Sequence, residues 1–206
     1  MRTELGQTSG SLNMVKLNKI YTRTGDDGTT GLVDGSRIAK SAPLMAAIGD
    51  VDEANSAVGL AAVALDAASE EAAMLFRIQN ELFDLGADLA TPPDAVLGFG
   101  PHEMALRIVP GQIARLEDEI DRMNDALEPL RSFILPGGTE AAARLHLARA
   151  VARRAERSAV AANADRDLNP LALNYLNRLS DHLFVMTRHI NAAAGGDVLW
   201  KPGATR

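Results

Sequence analysis

The stretch TEAAARLHLARAVARRAERSAVAANAD, residues 139–165, predicts the central element of the fold. Ala, Leu, Arg and Glu dominate it, and these are strong helix formers. Thr139 can cap the first turn with its side chain, and the acidic Glu140 favours the positive end of the helix dipole. We therefore predict a long helix over residues 139–165.

The periodicity of this helix separates two faces. One predicted core stripe consists of Leu147, Val151, Ala155 and Ala159. Arg149, Arg153 and Glu156 recur at i, i+4 and i+7 and therefore share the other face. A charged stripe opposite a core stripe is often only a solvated surface. Residues 144–166, however, contain six Arg and no Lys, and the planar guanidinium is the better fork for phosphate or carboxylate oxygens. A clamp for a polyphosphate is the alternative interpretation.

Four further helices are predicted around this one, over residues 35–65, 69–90, 111–127 and 169–195. Ser41 is a candidate N-cap for the first, and Asn169 followed by Pro170 opens the last. Residues 91–109 give no regular signal, and no stretch shows convincing strand alternation. The pattern indicates an all-α fold, a five-helix up-and-down bundle. Residues 1–14 are interpreted as a flexible leader and 15–206 as a single domain.

A loop rich in small residues precedes the bundle. The stretch YTRTGDDGTTGL, residues 21–32, contains three Gly, four Thr, one Arg and two Asp. A surface turn needs about four residues, so twelve indicate a loop that wraps a ligand. Glycines let backbone N–H groups converge into an anion-binding nest, and Thr hydroxyls add donors. Phosphate is the expected guest.

Two other polar groups leave alternatives open. The first predicted helix carries Asp50, Asp52 and Glu53 within an apolar pattern. They are either exposed ion-pair partners or acids that fix an arginine of helix 139–165, within the chain or across a subunit contact. Asn177, on the last helix, is either a satisfied buried amide or a nucleotide contact.

Composition excludes several classes of function. The net charge of −6 gives no broad footprint for nucleic acid. The absence of cysteine excludes disulfides, thiolate zinc sites and a cysteine nucleophile. The longest apolar run, residues 57–65, is too short to span a membrane, and a cytoplasmic protein is expected. The sequence has no P-loop motif, which counts against a P-loop kinase or NTPase. It also has no Glu-x-x-His pair, which counts against a ferritin-like di-iron site.

Four blocks in order carry a resemblance to a known family. They are TRTGDDGTTGL (22–32) followed by Arg37 and Lys40, GDVDEANSAVG (49–59), FILPGGTEAAARLHLARAVARRAERSAV (133–160) and YLNRLSDHLFVMTRHIN (175–191). With them, the sequence from about residue 19 to residue 202 resembles the PduO-type ATP:cob(I)alamin adenosyltransferases.

The resemblance implies a cobalamin adenosyltransferase-like, ferritin-like helical bundle, usually a homotrimer with active sites between subunits. The implied reaction is transfer of the 5′-deoxyadenosyl group of ATP to cob(I)alamin with release of triphosphate. ATP is then the co-substrate, cobalamin the substrate and Mg²⁺ the expected metal, whose ligands the sequence does not identify beyond an indirect role for Asp26 or Glu156. A flavin-type reductase and an adenosylcobalamin-dependent enzyme are implied partners.

The resemblance also assigns residues. The ATP contacts it implies are Thr22, Arg23, Thr24, Gly25, Asp26, Gly28, Thr30, Lys40, Arg149, Arg153, Glu156 and Asn177. Asp52 matches the acid expected to pair with Arg149 across the subunit interface. Phe133 matches the aromatic that helps displace the lower ligand of cobalamin, and Trp200 is assigned an apolar role near the corrin. Arg149, Arg153, Asp52 and Phe133 are the implied catalytic set.

Two rival interpretations remain at the level of sequence. A non-catalytic trimer that binds ATP and cobalamin, and carries or senses the cofactor, would use the same arginine stripe. A scaffold bundle with a charged face predicts no nucleotide binding at all. Release of triphosphate separates the enzyme from the carrier.

Overall fold

The computed structural model describes residues 21–92 and 106–206. Within them, five helices follow a short β-hairpin. The helices are α1 (Pro43–Ala62), α2 (Glu70–Ala90), α3 (Pro110–Asp125), α4 (Glu140–Asn163) and α5 (Pro170–Ala192). The strands are β1 (Thr29–Gly31) and β2 (Arg37–Ala39), which pair antiparallel with Thr30 opposite Ile38. The predicted leader, residues 1–14, lies outside the described residues.

Helix α4 confirms the central prediction. The Thr139 side chain accepts a hydrogen bond from the Ala142 N–H at 3.1 Å and caps the helix. Ala155 and Ala159 are fully buried and Val151 nearly so. Leu147 was wrongly assigned to the core stripe, since its side chain is 53% exposed. The buried positions also include Leu145, Ala148 and Ala152, so the core stripe of α4 is broader than the sequence indicated and consists mostly of alanines.

The first helix is shorter than predicted. Residues 35–42 do not belong to it, and it begins at Pro43 and ends at Ala62. Ser41 is not its N-cap; Ala42 takes that position without a side-chain hydrogen bond. The physical reason is Pro43, which keeps the preceding residue extended (φ −67°, ψ 146°) and supplies its own fixed φ at the first helical position.

The β-hairpin was not predicted. Its strands are three residues long, too short to show an alternating pattern. The turn between them is closed by Asp34, whose carboxylate accepts from the Ser36 N–H and hydroxyl, and by Gly35 at φ +80°. Such Asx turns with a glycine in the left-handed region favour tight reversals. Leu32 and Ile38 pack against the core, which joins the hairpin, and with it the loop of residues 21–32 (the Gly/Thr loop), to the bundle.

The remaining helices match their predicted spans to within three residues at each end. Ser69 caps α2 and Asn169 caps α5 through their side chains. Residues 106–109, from the stretch without regular signal, are not helical. The rest of that stretch, 93–105, is outside the part of the chain that the structure describes.

Contacts between helices show the up-and-down order. Helix α1 runs antiparallel to α4, since Ser158 reaches Asp50 while Arg144 reaches the Leu60 carbonyl. Helix α4 runs antiparallel to α5, with Glu156 beside Asn177. The apolar faces of the five helices meet in one core, whose largest fully buried side chains include Tyr175 and several leucines.

A buried polar network joins α2, α3 and α5. Glu119 on α3 accepts two hydrogen bonds of 2.7 Å from Arg77, and its Oε2 lies 2.8 Å from His182 Nε2. Burial alone would raise the pKa of Glu119, but the hydrogen bonds from His182 and Arg77 outweigh it and lower the pKa to about 2. Beside this pair, the Tyr175 hydroxyl donates to Glu81 at 2.7 Å. These groups pair with one another inside the chain, although Arg77 Nε and His182 Nδ1 have no hydrogen-bond partner among the described residues.

Among residues 21–92 and 106–206, no helix combines the length and the apolar character needed to cross a membrane.

Candidate functional site

The Gly/Thr loop is folded around two cations of strand β2 and its end. Arg37 donates from Nε to the Thr29 hydroxyl at 2.9 Å and from Nη2 to the Thr24 carbonyl at 2.5 Å. Lys40 donates from Nζ to the Gly25 carbonyl at 2.8 Å. A Cβ on Gly25 would lie 3.0 Å from that Nζ, so a larger residue would fit only if the Lys40 side chain shifted slightly. Lys40, which the resemblance assigns to the phosphates, therefore lies at the loop with further N–H donors available.

The loop backbone contains two residues in the left-handed region, Arg23 at φ +62° and Gly28 at φ +82°. Thr22 and Thr24 join through their hydroxyls at 2.8 Å. Asp26 is one of two acids in the loop and makes no ion pair among the described residues. Thr30 lies in β1. The predicted loop residues thus lie directly before the hairpin and in its first strand.

Asp27 organises the loop, and the sequence analysis did not single it out. Its Oδ1 accepts from the Thr29 N–H at 2.9 Å and the Thr29 hydroxyl at 2.8 Å. The backbone N–H of Thr29, followed by its hydroxyl, lowers the pKa of Asp27. Asp-x-Thr is a local capping pattern, and this pattern could have identified Asp27 from the sequence.

The second part of the site is a face shared by α4 and α5. The Arg149 guanidinium carbon lies 5.3 Å from the centroid of the Phe184 ring, a cation–π contact. Glu156 accepts a hydrogen bond of 2.8 Å from the Asn177 amide, so two predicted nucleotide contacts already touch. Arg153 is exposed between them on α4. The four predicted residues of the two helices therefore form one surface, which we call the arginine face: Arg149, Arg153, Glu156 and Asn177.

Charge on the arginine face is unbalanced. Within the described residues, neither Arg149 nor Arg153 makes an ion pair with a carboxylate. Burial, and then the positive charge of Arg153, lower the pKa of Arg149. Burial and Arg149 likewise lower the pKa of His146, one turn earlier on α4. The charge of Asp181 acts in the opposite direction on Arg149 but does not outweigh burial and Arg153. Two neighbouring guanidinium groups that lack a paired carboxylate favour the binding of an anion.

The acids of α1 do not meet Arg149 within the chain. Asp50 instead pairs with Arg154 at 3.2 Å, and Glu53 pairs with the same arginine. Arg154 was not singled out by the sequence analysis, although the six-arginine count included it. Asp52 is exposed and lines an apolar groove of about 460 Å³ between α1 and α2, beside the exposed Phe83.

The third part of the site is apolar. Ile134 and Leu199 form an antiparallel β-bridge, so residues 133 and 135 project on the same side as residues 198 and 200. The rings of Phe133 and Trp200 lie 5.9 Å apart with a 60° tilt. Phe133 is 77% exposed. We call the surface formed by Phe133, Leu135, Val198 and Trp200 the apolar platform.

Three polar residues behind the platform were missed from sequence: Arg188, Asn191 and Asp197. Arg188 and Asn191 are buried, at 8% and 2% exposure, near the end of α5. A charged and an amide side chain at core positions of a helix indicate specific hydrogen-bond partners. This pattern could have identified Arg188 and Asn191 from the sequence.

No group of three or more His, Asp or Glu side chains suited to a metal ion occurs in the described ranges. Asp26 and Glu156 therefore do not combine with other acids into a protein-only metal site there.

Comparison with known proteins gives a consistent result. The family model described as cobalamin adenosyltransferase matches residues 20–190. A corrinoid adenosyltransferase of Mycobacterium tuberculosis (strain ATCC 25618 / H37Rv) is 49% identical over 194 residues, which is 93% of this chain and 97% of the relative. A cobalamin adenosyltransferase of Cupriavidus metallidurans is 48% identical over 187 residues, 90% of this chain and 96% of the relative.

A solved structure also matches. It is that of a variant PduO-type ATP:corrinoid adenosyltransferase from Lactobacillus reuteri complexed with cobalamin and ATP. The match has a TM-score of 0.79 and 36% sequence identity, and covers 89% of this chain and 99% of the other. The helical bundle predicted from sequence agrees with this fold.

Proposed function

We infer that this chain, which belongs to the cobalamin adenosyltransferase family, is an ATP:corrinoid adenosyltransferase. It transfers the 5′-deoxyadenosyl group of ATP to cob(I)alamin, which forms adenosylcobalamin and releases triphosphate. The observation that carries this inference is the arginine face, where two neighbouring guanidinium groups lack a carboxylate partner among the described residues.

The arginine face suits the leaving group of this reaction. Cobalt(I) is itself a strong nucleophile, so the attack on C5′ of ATP needs no general base, and the protein's task is positioning and stabilising charge. Negative charge grows on the triphosphate as the C5′–O bond breaks. Arg149 and Arg153 would donate charge-assisted hydrogen bonds to it, each contributing on the order of 1.5–3 kcal/mol.

We place the nucleotide under the Gly/Thr loop. Lys40 is held at the loop by the Gly25 carbonyl and keeps donors for phosphate oxygens. Thr22, Thr24 and Thr30 would supply hydroxyls, while Arg23, Gly25 and Gly28 shape the backbone. Glu156 and Asn177, already hydrogen-bonded to each other, would fix the adenosine part.

Mg²⁺ would accompany the triphosphate. This ion prefers oxygen ligands, and in nucleotide sites most of them are phosphate oxygens and waters. The Asp26 carboxylate fits this chemistry, because it is exposed in the loop and makes no ion pair in the described ranges.

The apolar platform is proposed to contact the corrin. Phe133, exposed above the loop that precedes α4, would occupy the space below the cobalt and exclude water and the lower ligand. Cob(II)alamin without its axial ligand is more easily reduced to the reactive cob(I) form. Trp200 would extend the same apolar surface.

We propose a homotrimer with the active site between subunits. The support is that Asp52 makes no ion pair within the described residues and lines the apolar α1–α2 groove, where a neighbouring copy would bring its Arg149. A flavin-type reductase would supply the electron for cob(II)alamin, and an adenosylcobalamin-dependent enzyme would receive the product.

The deciding experiment is an anaerobic assay with chemically reduced cobalamin, ATP and Mg²⁺, in which the corrin spectrum and the phosphate product are followed together. Adenosylcobalamin formed with one intact triphosphate per turnover is the expected result. Binding of ATP with no spectral change would refute the enzyme and leave a cofactor carrier or sensor. Absence of ATP binding would refute both.

A further inference from the structure

We propose that Asp197 is a positioning residue for the corrinoid step. Together with Arg188 and Asn191 it forms a latch, which fixes the apolar platform from behind. The proposal rests on the proposed function, because it concerns the same platform, but its structural part is tested separately below.

The platform is weakly held by its own backbone. The Trp200 N–H donates to the Phe133 carbonyl at 2.9 Å, and the Leu135 N–H donates to the Val198 carbonyl at 2.7 Å. A two-stranded pairing of this length is marginal in water. Gly195 and Gly196, both at positive φ, lead into the extended segment of residues 197–200, here called the C-terminal strand. Glycines give this segment little stiffness, so it needs another anchor.

Asp197 supplies the anchor on the C-terminal side. Its Oδ2 accepts from Arg188 Nε at 3.0 Å, and the two side chains are only 11% and 10% exposed. Arg188 also donates from Nη2 to the Glu128 carbonyl at 2.8 Å. One guanidinium therefore joins the strand that carries Trp200 to the segment that precedes Phe133.

Asn191 supplies the anchor on the other side of Phe133. Its Oδ1 accepts from the Thr139 N–H at 3.1 Å, and its Nδ2 donates to the Gly137 carbonyl at 3.1 Å and to Asp197 Oδ1 at 3.4 Å. A Cβ on Gly138 would lie 2.1 Å from Asn191 Oδ1, and Gly138 has φ +101°. The approach is so close that only glycine fits.

Apolar packing does not replace these bonds. An open groove of about 620 Å³ borders the segments that carry the platform and is lined by Leu127, Leu130, Arg188, Asp197 and Leu199 among others. Close packing is therefore incomplete beside the platform, and the buried polar contacts contribute to its position. A charged hydrogen bond between nearly buried groups is much stronger than an exposed one.

Loss of the latch should affect the reaction that starts from cob(II)alamin but not the one that starts from cob(I)alamin. Exclusion of the lower ligand of cob(II)alamin depends on where Phe133 lies, whereas attack by cob(I)alamin that has already been reduced does not need the ligand displaced. Loosening the latch should therefore slow the reaction from cob(II)alamin and leave the reaction from cob(I)alamin nearly unchanged.

The test is the full-length Asp197→Asn variant, which keeps the shape of the side chain and removes its charge. Anaerobic rates are measured from cob(II)alamin with a reductant and from pre-reduced cob(I)alamin. Trp200 is the only tryptophan of the chain, so quenching of its fluorescence by acrylamide reports strand docking without any substrate. Glu70→Gln is the matched control, because it breaks the exposed ion pair with Arg122 on α2 and α3.

We expect the rate from cob(II)alamin to fall by about tenfold, as small displacements of positioning groups do, with the rate from cob(I)alamin within about twofold of wild type. Quenching of Trp200 should increase, and Phe133→Ala should show the same selectivity in rate. Glu70→Gln should match wild type in all three measurements. If Asp197→Asn does not fold, Asp197→Glu, which keeps the charge, is measured in its place and should show the same effects more weakly.

Equal loss of both rates, or altered quenching with both rates unchanged, would overturn the positioning role. Unaltered quenching would overturn the latch itself. A wild-type protein that does not adenosylate pre-reduced cob(I)alamin would instead overturn the proposed function, and the quenching comparison would still decide whether Asp197 holds the strand.

Discussion

Arg153 and Arg154 are neighbours in sequence, yet they lie in two different regions of the molecule. Arg154 faces α1 and pairs with Asp50 and Glu53. Arg153 is on the arginine face with Arg149, and neither has a carboxylate partner in the described part of the chain. The same residue type on the same helix therefore serves the fold on one face and remains available for a ligand on the other.

The difference between the faces has a physical basis. A paired charge contributes to the folded state because its partner is supplied by the chain. Two unpaired guanidinium groups repel each other, and burial with this repulsion lowers the pKa of Arg149. A bound triphosphate would neutralise this repulsion, so the two arginines would contribute to the free energy of binding rather than to the stability of the fold.

The largest effect on stability is expected in the buried network around Glu119, where the charged side chains pair with one another. Glu119→Gln leaves His182 without its carboxylate and Arg77 with only the longer contact to Glu81. It should lower the free energy of unfolding by roughly 3–5 kcal/mol at pH 7. The pKa of Glu119 falls from 4.5 to about 2 on folding, so its ionised form stabilises the fold above about pH 4.5. That contribution is lost as the pH falls through 2.

Urea unfolding from pH 7 down to pH 2 checks this expectation. The difference between wild type and Glu119→Gln should shrink below pH 4.5, while Glu117→Gln, in the exposed pair with Arg178, should cost little at any pH. If the difference in the free energy of unfolding stayed constant with pH, His182 and Arg77 would not lower the pKa of Glu119.

On the unpaired face, Arg153→Ala should leave the fold intact and slow adenosyl transfer. Loss of a charge-assisted hydrogen bond of 1.5–3 kcal/mol corresponds to about tenfold to a hundredfold in rate. Steady-state kinetics with ATP and cob(I)alamin, together with thermal unfolding, measure both quantities. Unchanged kinetics would remove Arg153 from the site.

The proposed pair between Asp52 and Arg149 of another subunit would give the arginine face a carboxylate partner that the single chain does not supply. Asp52→Ala and Arg149→Ala should each reduce activity by about tenfold or more. Coexpression of the two variants should restore part of the activity, since mixed trimers contain interfaces with both native residues. No recovery in verified mixed assemblies would argue against an intersubunit pair.

Arg154→Ala is the matched control and the smallest effect. Its side chain is 41% exposed, so solvent screens the pair with Asp50 and Glu53 and thermal unfolding should change only slightly. Adenosyl transfer should stay within about twofold of wild type. A large loss of activity would mean that the two faces of α4 are not separate in function.

Much of the fold was readable from the chain. Thr139 and Asn169 cap the helices predicted for them, and the lengths of α2 to α5 were close to those predicted. The hairpin and the true start of α1 were not predicted, because three-residue strands have no measurable period and Pro43 overrides the helical pattern before it. In the site, Glu156 and Asn177, each predicted as a nucleotide contact, touch each other. The structural roles of Arg37, Asp27 and Asp197 emerged only from their contacts.

The sequence by itself determined the helical bundle, the family and the residue types needed to bind an anion, because periodicity, caps and ordered motifs are local properties of the chain. The tertiary structure alone decided which arginine is paired, which acids face another element, and which buried side chains hold Phe133 and Trp200. Periodicity gives the face on which a residue lies, but the partner on that face belongs to a helix distant in sequence. Only packing brings the two together.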